Sequence, residues 1–485
     1  MGSRRTGSFV LAVVLVSLVA LVAAWGLVSG GSATDAAGQH PAPARAPGSG
    51  PLRKGDFTWT GLSACPSRAL SGLACGTLTV PLDRIVGDPA STGTLDLPVV
   101  VGGNLKAGRT LLALSGGPGQ PGVALAPKIF PHLEGVAEDY RLVMVDQRGT
   151  GANALNCPRL QAEIGFSDLE IPTAGAVAEC ARSLGGERAQ YSTSATIADL
   201  EDLRQALGAQ SWSIDGVSYG SYVAQRYAGA HRDRVDRLVL DSVVPVEGFD
   251  PTMVEAFPEV ARVLRAVCTQ RACSADPAAD LTTVVARAPE LGPRLLDVLS
   301  VMSVVDVGFP GMPEALHLAA SGSDAQLLSL LASWQDGTSG PADELSQGLH
   351  ASTLCLDLDF PWGGADASVT SRARAADVAV ARLADDRLWP FTAETARTNG
   401  FLRTCELWPP EPDQPVPSAQ LSLRGASALI LRGDRDLSTL LTWAERAHAD
   451  LPGSRLVVVP GVGHSVQGTS QTAREEVARF LLGQS

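Results

Sequence analysis

Lysine is nearly absent from this chain of 485 residues: Lys54, Lys106 and Lys128 are the only ones, and the net charge is −13. Without a Lys/Arg-rich stretch there is no electrostatic footprint for a phosphate backbone, so nucleic acid is not an expected partner. Charged residues make up only 18% of the chain against 45% hydrophobic, which excludes intrinsic disorder over most of its length and leaves material for a large core. No C-x-x-C occurs and no His stands at ligand spacing from a Cys, so a structural metal is not expected. No Lys follows the glycine-rich stretch at 116–119, as a phosphate-cradling loop requires, and no cofactor is expected.

One segment departs from a soluble composition. Phe9 to Val28 is an uncharged apolar run behind Arg4 and Arg5. Its twenty residues exceed the usual secretory core of about 7–15 and reach the length of a membrane span. With the arginines inside, everything after the run lies beyond the cytoplasmic membrane, whether the segment is retained or cleaved after a small residue such as Gly31 or Ala33. No Cys precedes Cys65, which excludes a lipid anchor on cysteine. The Gly/Ser/Ala/Pro-rich stretch that follows cannot bury enough apolar surface to order itself.

Export places the eight cysteines in an oxidising compartment, where an even number reads as disulfides. Loop closure between sequence neighbours costs the least entropy, so the expected pairs are Cys65–Cys75, Cys157–Cys180, Cys268–Cys273 and Cys355–Cys405.

Eight short apolar runs read as strands: 76–80, 94–101, 110–115, 141–145, 211–217, 237–243, 427–432 and 455–460. The later ones are apolar at consecutive positions, as expected where both sheet faces are covered. Helical spacing separates them, clearest at Ile197, Leu200, Leu203 and Leu207. Alternating strand and helix implies a mostly parallel α/β sheet. Roughly 180 residues between Val243 and Ser427 break the alternation and read as an inserted, mainly helical cap.

Gly216-Val-Ser-Tyr-Gly220 falls between a strand and a helix, the setting of a nucleophile elbow that exposes a strained serine, here Ser218. A serine hydroxyl needs a base. His464 follows the last strand within Gly461-Val-Gly-His-Ser465, whereas His231, His317, His350 and His448 fall on helices or in the cap, where packing and surface roles are expected. Asp434 and Asp436, after the strand at 427–432, are both candidates for the acid that orients His464, and spacing does not choose between them. Ser115-Gly-Gly-Pro-Gly119 can bring bare backbone to a developing oxyanion, with donors expected from Gly117 and from Tyr219, the residue after the nucleophile.

These motifs, in this order, resemble the α/β-hydrolase superfamily, and within it the secreted tripeptidyl aminopeptidases and proline iminopeptidase-like peptidases of serine peptidase family S33. Cys75-Gly-Thr-Leu-Thr-Val-Pro-Leu-Asp83, Asp146-Gln-Arg-Gly-Thr-Gly151, Leu238-Val-Leu-Asp241, Cys355-Leu-Asp357 and Cys405-Glu-Leu-Trp408 extend the likeness over nearly the whole mature chain. The resemblance implies Asp436 as the acid, and a structural turn for Asp146 and Arg148. Proline iminopeptidases usually carry His before Gly-Gly-Pro-Gly. Ser115 at that position leans toward the longer-peptide branch.

The expected organisation is therefore a signal peptide or membrane anchor over 1–28, a linker over 29–51, an α/β-hydrolase core over 52–246 and 426–485, and a cap over 247–425. The expected activity is an exported serine hydrolase that releases short peptides, tripeptides above all, from free amino termini. An esterase of cell-envelope or small ester substrates is the enzymatic alternative, and an inactive hydrolase fold that only binds is the other. An aminopeptidase must hold an ammonium group, for which Glu247, Asp250, Glu255 and Glu259 at the cap entrance are candidates.

Overall fold

The central strands are apolar at consecutive positions because their two faces belong to two different cores. In the run Leu111-Leu-Ala-Leu114, Leu111 and Ala113 pack into one cluster and Leu112 and Leu114 into the other. Leu142 and Met144 likewise face away from Val143 and Val145, the period of two that any strand imposes. Each such side chain taken fully out of water contributes about 1.5–3 kcal/mol.

The computed structural model describes residues 57–84, 93–411, 423 and 425–484. The expected signal or anchor at 1–28, with its apolar run 9–28, and the linker at 29–51 lie outside the described residues, as does most of the Pro-rich joint after Trp408.

The strands are β1 (Thr58–Trp59), β2 (Ser63–Ala64), β3 (Ala74–Pro81), β4 (Thr94–Gly103), β5 (Arg109–Leu114), β6 (Tyr140–Val145), β7 (Trp212–Val217), β8 (Val235–Asp241), β9 (Ala428–Gly433) and β10 (Arg455–Val459). They form one sheet in the order β1-β3-β4-β6-β5-β7-β8-β9-β10, with β2 also paired to β3. Pairing from β6 through β10 is parallel, and β1 to β4 enter antiparallel. The eight long strands are those read from the sequence. The two short ones were not expected, since two residues carry no periodicity.

The expectation that β10 is covered on both faces is corrected. It forms the sheet edge, and Val458 is 42% exposed.

Between Asp241 and Ala428 the described residues hold ten α-helices and no strand. This insertion shares one apolar cluster with the sheet: Leu264, Leu299 and Trp408 belong to the same core as Trp212 and Ile214. Four disulfides join Cys65 to Cys75, Cys157 to Cys180, Cys268 to Cys273 and Cys355 to Cys405. The last links helix Gln347–Asp357 to helix Gly400–Leu407 within the insertion.

Candidate active site

Ser218 sits between β7 and the helix Tyr219–Ala230 with φ +57° and ψ −127°, a conformation that L side chains rarely adopt. The turn is tight enough to dictate its flanking residues. A Cβ on Gly216 would lie 2.4 Å from the carbonyl oxygen of Gly220, and one on Gly220 would lie 2.5 Å from that of Leu114. The helix that begins at Tyr219 leaves its first N–H groups without intrahelical partners, next to Ser218. The loop of Gly116 and Gly117 crosses the same spot: a Cβ on Gly116 would stand 2.9 Å from that of Ser218. Gln120 braces this loop, its Oε1 accepting the N–H of Gly116 over 3.2 Å and its carbonyl accepting the Ser115 hydroxyl over 2.9 Å.

His464 lies on the loop after β10, and its Nδ1 is 3.0 Å from Asp436 Oδ2. The carboxylate can only accept, so the proton is assigned to Nδ1, which leaves the Nε2 lone pair free to take another. Asp436 is fully buried and satisfied. Its Oδ1 accepts the N–H groups of Ser438 and Thr439 over 2.8 and 3.0 Å, and its Oδ2 also accepts the Thr439 hydroxyl over 2.6 Å. Burial alone would raise the Asp436 carboxyl, but His464, Arg432 and the Thr439 hydroxyl hold it below its ordinary value. Burial likewise works to lower His464, and the carboxylates of Asp436, Asp241 and Asp168 outweigh it and raise the imidazole. Asp434, the other acid candidate, accepts the N–H of Gly461 over 2.7 Å.

Two further elements fix the His464 loop. Asp241, the last residue of β8, accepts the N–H groups of Val466 and Gln467 over 2.8 and 2.9 Å. Ser303, on the insertion helix Gly292–Val305, accepts the N–H of His464 on its carbonyl over 3.1 Å and the N–H of Leu437 on its hydroxyl over 2.9 Å. One insertion residue thus braces the His464 loop and the loop of Asp436 and Leu437 together. No described hydrogen bond joins Ser218 Oγ to His464, and such contacts commonly tighten only when substrate binds.

A pocket opens over Ser218, and Gly117, Tyr219, Phe249, Phe401 and Trp443 also line it. Phe249 stacks on Trp443 and meets Phe401 edge-on, with ring centroids 5.0 and 4.9 Å apart.

The four carboxylates considered for an ammonium are not on its wall. Glu255 accepts from Trp443 and Arg446, Glu259 pairs with Arg262 and Arg432, Glu247 lies 3.6 Å from Arg446, and Asp250 bonds Thr252. Closeness in sequence to β8 did not place them on the pocket wall.

The carboxylates that do line the pocket are Asp168 and Asp357. Asp357 accepts both the N–H and the hydroxyl of Thr193, and that hydroxyl also meets the Tyr219 phenol at 2.6 Å. Burial, only partly offset by Thr193 and Arg226, pushes Asp357 up to about 6. His350, expected to have a packing or surface role, is buried with its ring stacked on Phe401, and it lies against the loop at 116–119, with Nδ1 3.3 Å from the Pro118 carbonyl. His350, Leu354 and Asp357 stand at i, i+4 and i+7 of helix Gln347–Asp357, a one-face spacing that was readable in the sequence. Nothing local marked Asp168.

Of the remaining histidines, His231 caps the helix after Ser218, while His317 and His448 are on other helices. Asp146 accepts the N–H of Val123, and the buried Arg148 binds Asp199 and the carbonyls of Leu82 and Gln190. Among the described residues no cluster of His, Cys, Asp and Glu could hold a metal ion.

The serine protease Hip1 of Mycobacterium tuberculosis is 30% identical over 234 residues, which cover 43% of this chain and 44% of Hip1, less than half of that relative. The tripeptidyl aminopeptidase of Streptomyces coelicolor is 24% identical over 463 residues, covering 84% of this chain and 81% of that one. A serine hydrolase structure from Cycloclasticus zankles covers 84% of this chain and 98% of its own at 17% identity, with a TM-score of 0.38. The sequence model of the alpha/beta hydrolase fold matches residues 109–471, from the first residue of β5 to the start of the last helix. The chain belongs to the α/β hydrolase fold family.

Proposed function

We propose that the protein is an exported serine aminopeptidase that releases short peptides, tripeptides foremost, from free amino termini. The observation that carries this reading is the pairing of His464 with the buried Asp436 on loops that leave the carboxyl edge of the strands, as does the Ser218 elbow. The tripeptidyl aminopeptidase likeness over most of the chain supports the substrate class. Four disulfides, with no free cysteine among the described residues, support an oxidising compartment.

The chemistry follows from the proton positions. His464 Nε2 takes the Ser218 proton as Oγ attacks the scissile carbonyl, and Asp436 stabilises the imidazolium that forms. The carbonyl oxygen becomes an oxyanion facing the N–H groups of Gly117 and Tyr219. His464 then gives its proton to the departing amine, the C–N bond breaks, and the amino-terminal tripeptide unit remains as an ester on Ser218. Water, deprotonated by the same histidine, hydrolyses that ester and restores the serine.

A chromogenic panel tests the reading: a tripeptide anilide, its N-acetylated form, single amino-acid anilides and a short ester. The free tripeptide anilide is expected to be the best substrate, and Ser218→Ala to lower its turnover by about 10⁴-fold or more. An ester far outpacing every anilide would favour the esterase alternative. Inertness toward the whole panel and toward a fluorophosphonate would leave only a binding role.

A further inference from the structure

Asp168, on the pocket wall, faces the buried His350 behind it across a gap that no hydrogen bond closes. The Asp168 side chain is 35% exposed and lines the pocket, and its Oδ1 lies 3.6 Å from His350 Nε2. The His350 side chain is only 8% exposed, its ring stacks on Phe401, and its Nδ1 faces the Pro118 carbonyl. A carbonyl can only accept, so the hydrogen of a neutral ring sits on Nδ1 and Nε2 is left as an acceptor. That Nε2 is buried and has no hydrogen-bond partner. Burial raises the Asp168 carboxyl against the lowering by His350 and His464; once it is ionised, two acceptors face each other across a gap too long for a direct bond, one of them a carboxylate open to the site.

Protonating His350 would make the gap an ion pair, but burial works against the charge and holds the imidazole below its ordinary value. A group that brings its own hydrogens and positive charge satisfies both acceptors at once. An alkylammonium offers three N–H donors.

We infer that Asp168 and His350 together seat the amino-terminal ammonium of the substrate, and so impose the requirement for a free amine. The inference rests on the aminopeptidase reading and names the residues that would enforce it. Asp357, the other carboxylate on the wall, already receives two donors from Thr193 and adds negative charge rather than the seat itself. The seat also adjoins the catalytic loop, because His350 Nδ1 bonds the carbonyl of Pro118, next to Gly117.

The test is the ratio of kcat/KM for a tripeptide anilide to that for its N-acetylated form, measured on the full protein. Titration with a small fluorophosphonate counts competent sites in every preparation. The wild type is expected to favour the free amine by about 10- to 100-fold, the worth of a charge-assisted hydrogen bond. Asp168→Asn should bring the ratio to within about threefold of unity, Asp168→Glu should restore part of it, and His350→Phe, which keeps the ring stacking, should reduce it.

An Asp168→Asn enzyme that titrates normally and keeps the full wild-type ratio overturns the inference, whatever its melting temperature. If that variant does not fold, the decision passes to His350→Phe, and an unchanged ratio there overturns it equally. A wild type indifferent to acetylation overturns the aminopeptidase reading, and this inference with it.

Discussion

Asp434 and Asp436 stand two positions apart on the loop after β9 and serve different partners, Asp434 the N–H of Gly461 and Asp436 the imidazole of His464. Substituting each should therefore separate fold from chemistry. Asp436→Asn is expected to lower kcat by about 10³- to 10⁴-fold, since the amide cannot stabilise the imidazolium. Asp434→Asn should cost about 1 kcal/mol of stability and less than about tenfold in kcat. Steady-state kinetics with thermal melts of both variants check this, and equal losses in kcat would contradict the assignment of Asp436.

The pH profile should be displaced in one direction. As the proposed base, His464 would have to be unprotonated to accept the serine proton, and its neighbouring carboxylates raise it above its ordinary value despite burial. The acid limb of kcat/KM on a small ester is therefore expected to have its midpoint above about pH 6.5. Asp168 is one of the anions responsible, so Asp168→Asn should move that limb to lower pH. A wild-type midpoint below about pH 6 would be incompatible with this electrostatic picture.

What was legible in the sequence follows from where each residue stands. Ser218 follows β7, and Asp434, Asp436 and His464 lie on the loops after β9 and β10, so local pattern and fold order were enough to single out one serine, one histidine and a pair of aspartates as candidates. The choice between Asp434 and Asp436 was not local. It depends on how the loop turns, which brings Ser438 and Thr439 to Asp436 and Gly461 to Asp434. The pocket wall was largely illegible because Asp168 and His350 are far apart in sequence and meet only through tertiary packing. Glu255 and Glu259 looked available in the sequence and are bound by arginines in the fold.

The Cys355–Cys405 bond should matter for selection more than for chemistry. It ties the helix carrying His350 and Asp357 to the helix carrying Phe401, and it closes a loop of 50 residues. The chain-entropy account assigns such a closure about 4 kcal/mol. Cys355→Ala/Cys405→Ala is expected to lower the melting temperature and blunt the preference for a free amine, with a smaller effect on fluorophosphonate labelling. A uniform loss in all three measurements would instead mean that the bond supports the whole site.

Asp297 should make the wild type lose stability as pH rises. It is buried on helix Gly292–Val305, bonded to the Ser167 hydroxyl, and burial, with Glu170 and Asp168 nearby, pushes it to about 7. An unfolded Asp titrates near about 3.9, so between about pH 4 and 7 the folded state holds a proton that the unfolded chain has released. Stability conferred at low pH is lost as pH climbs through that window. Asp297→Asn has no such proton to lose, so its melting temperature should fall less than that of the wild type between pH 5 and 8. Parallel curves would show that the carboxyl titrates normally.

Ser303 changes what it means to re-engineer this enzyme. Because one residue of the insertion anchors both the His464 loop and the Leu437 backbone, the helical segment is not an interchangeable lid set over a finished catalyst. The Gly119 carbonyl is tied in the same way to the N–H of Ser346. A chimera that replaced the insertion wholesale to gain a new specificity would cut the supports of the His464 loop and of the loop at Asp436 and Leu437. Grafts must therefore keep the Ser303 and Ser346 junctions and vary the residues that touch neither.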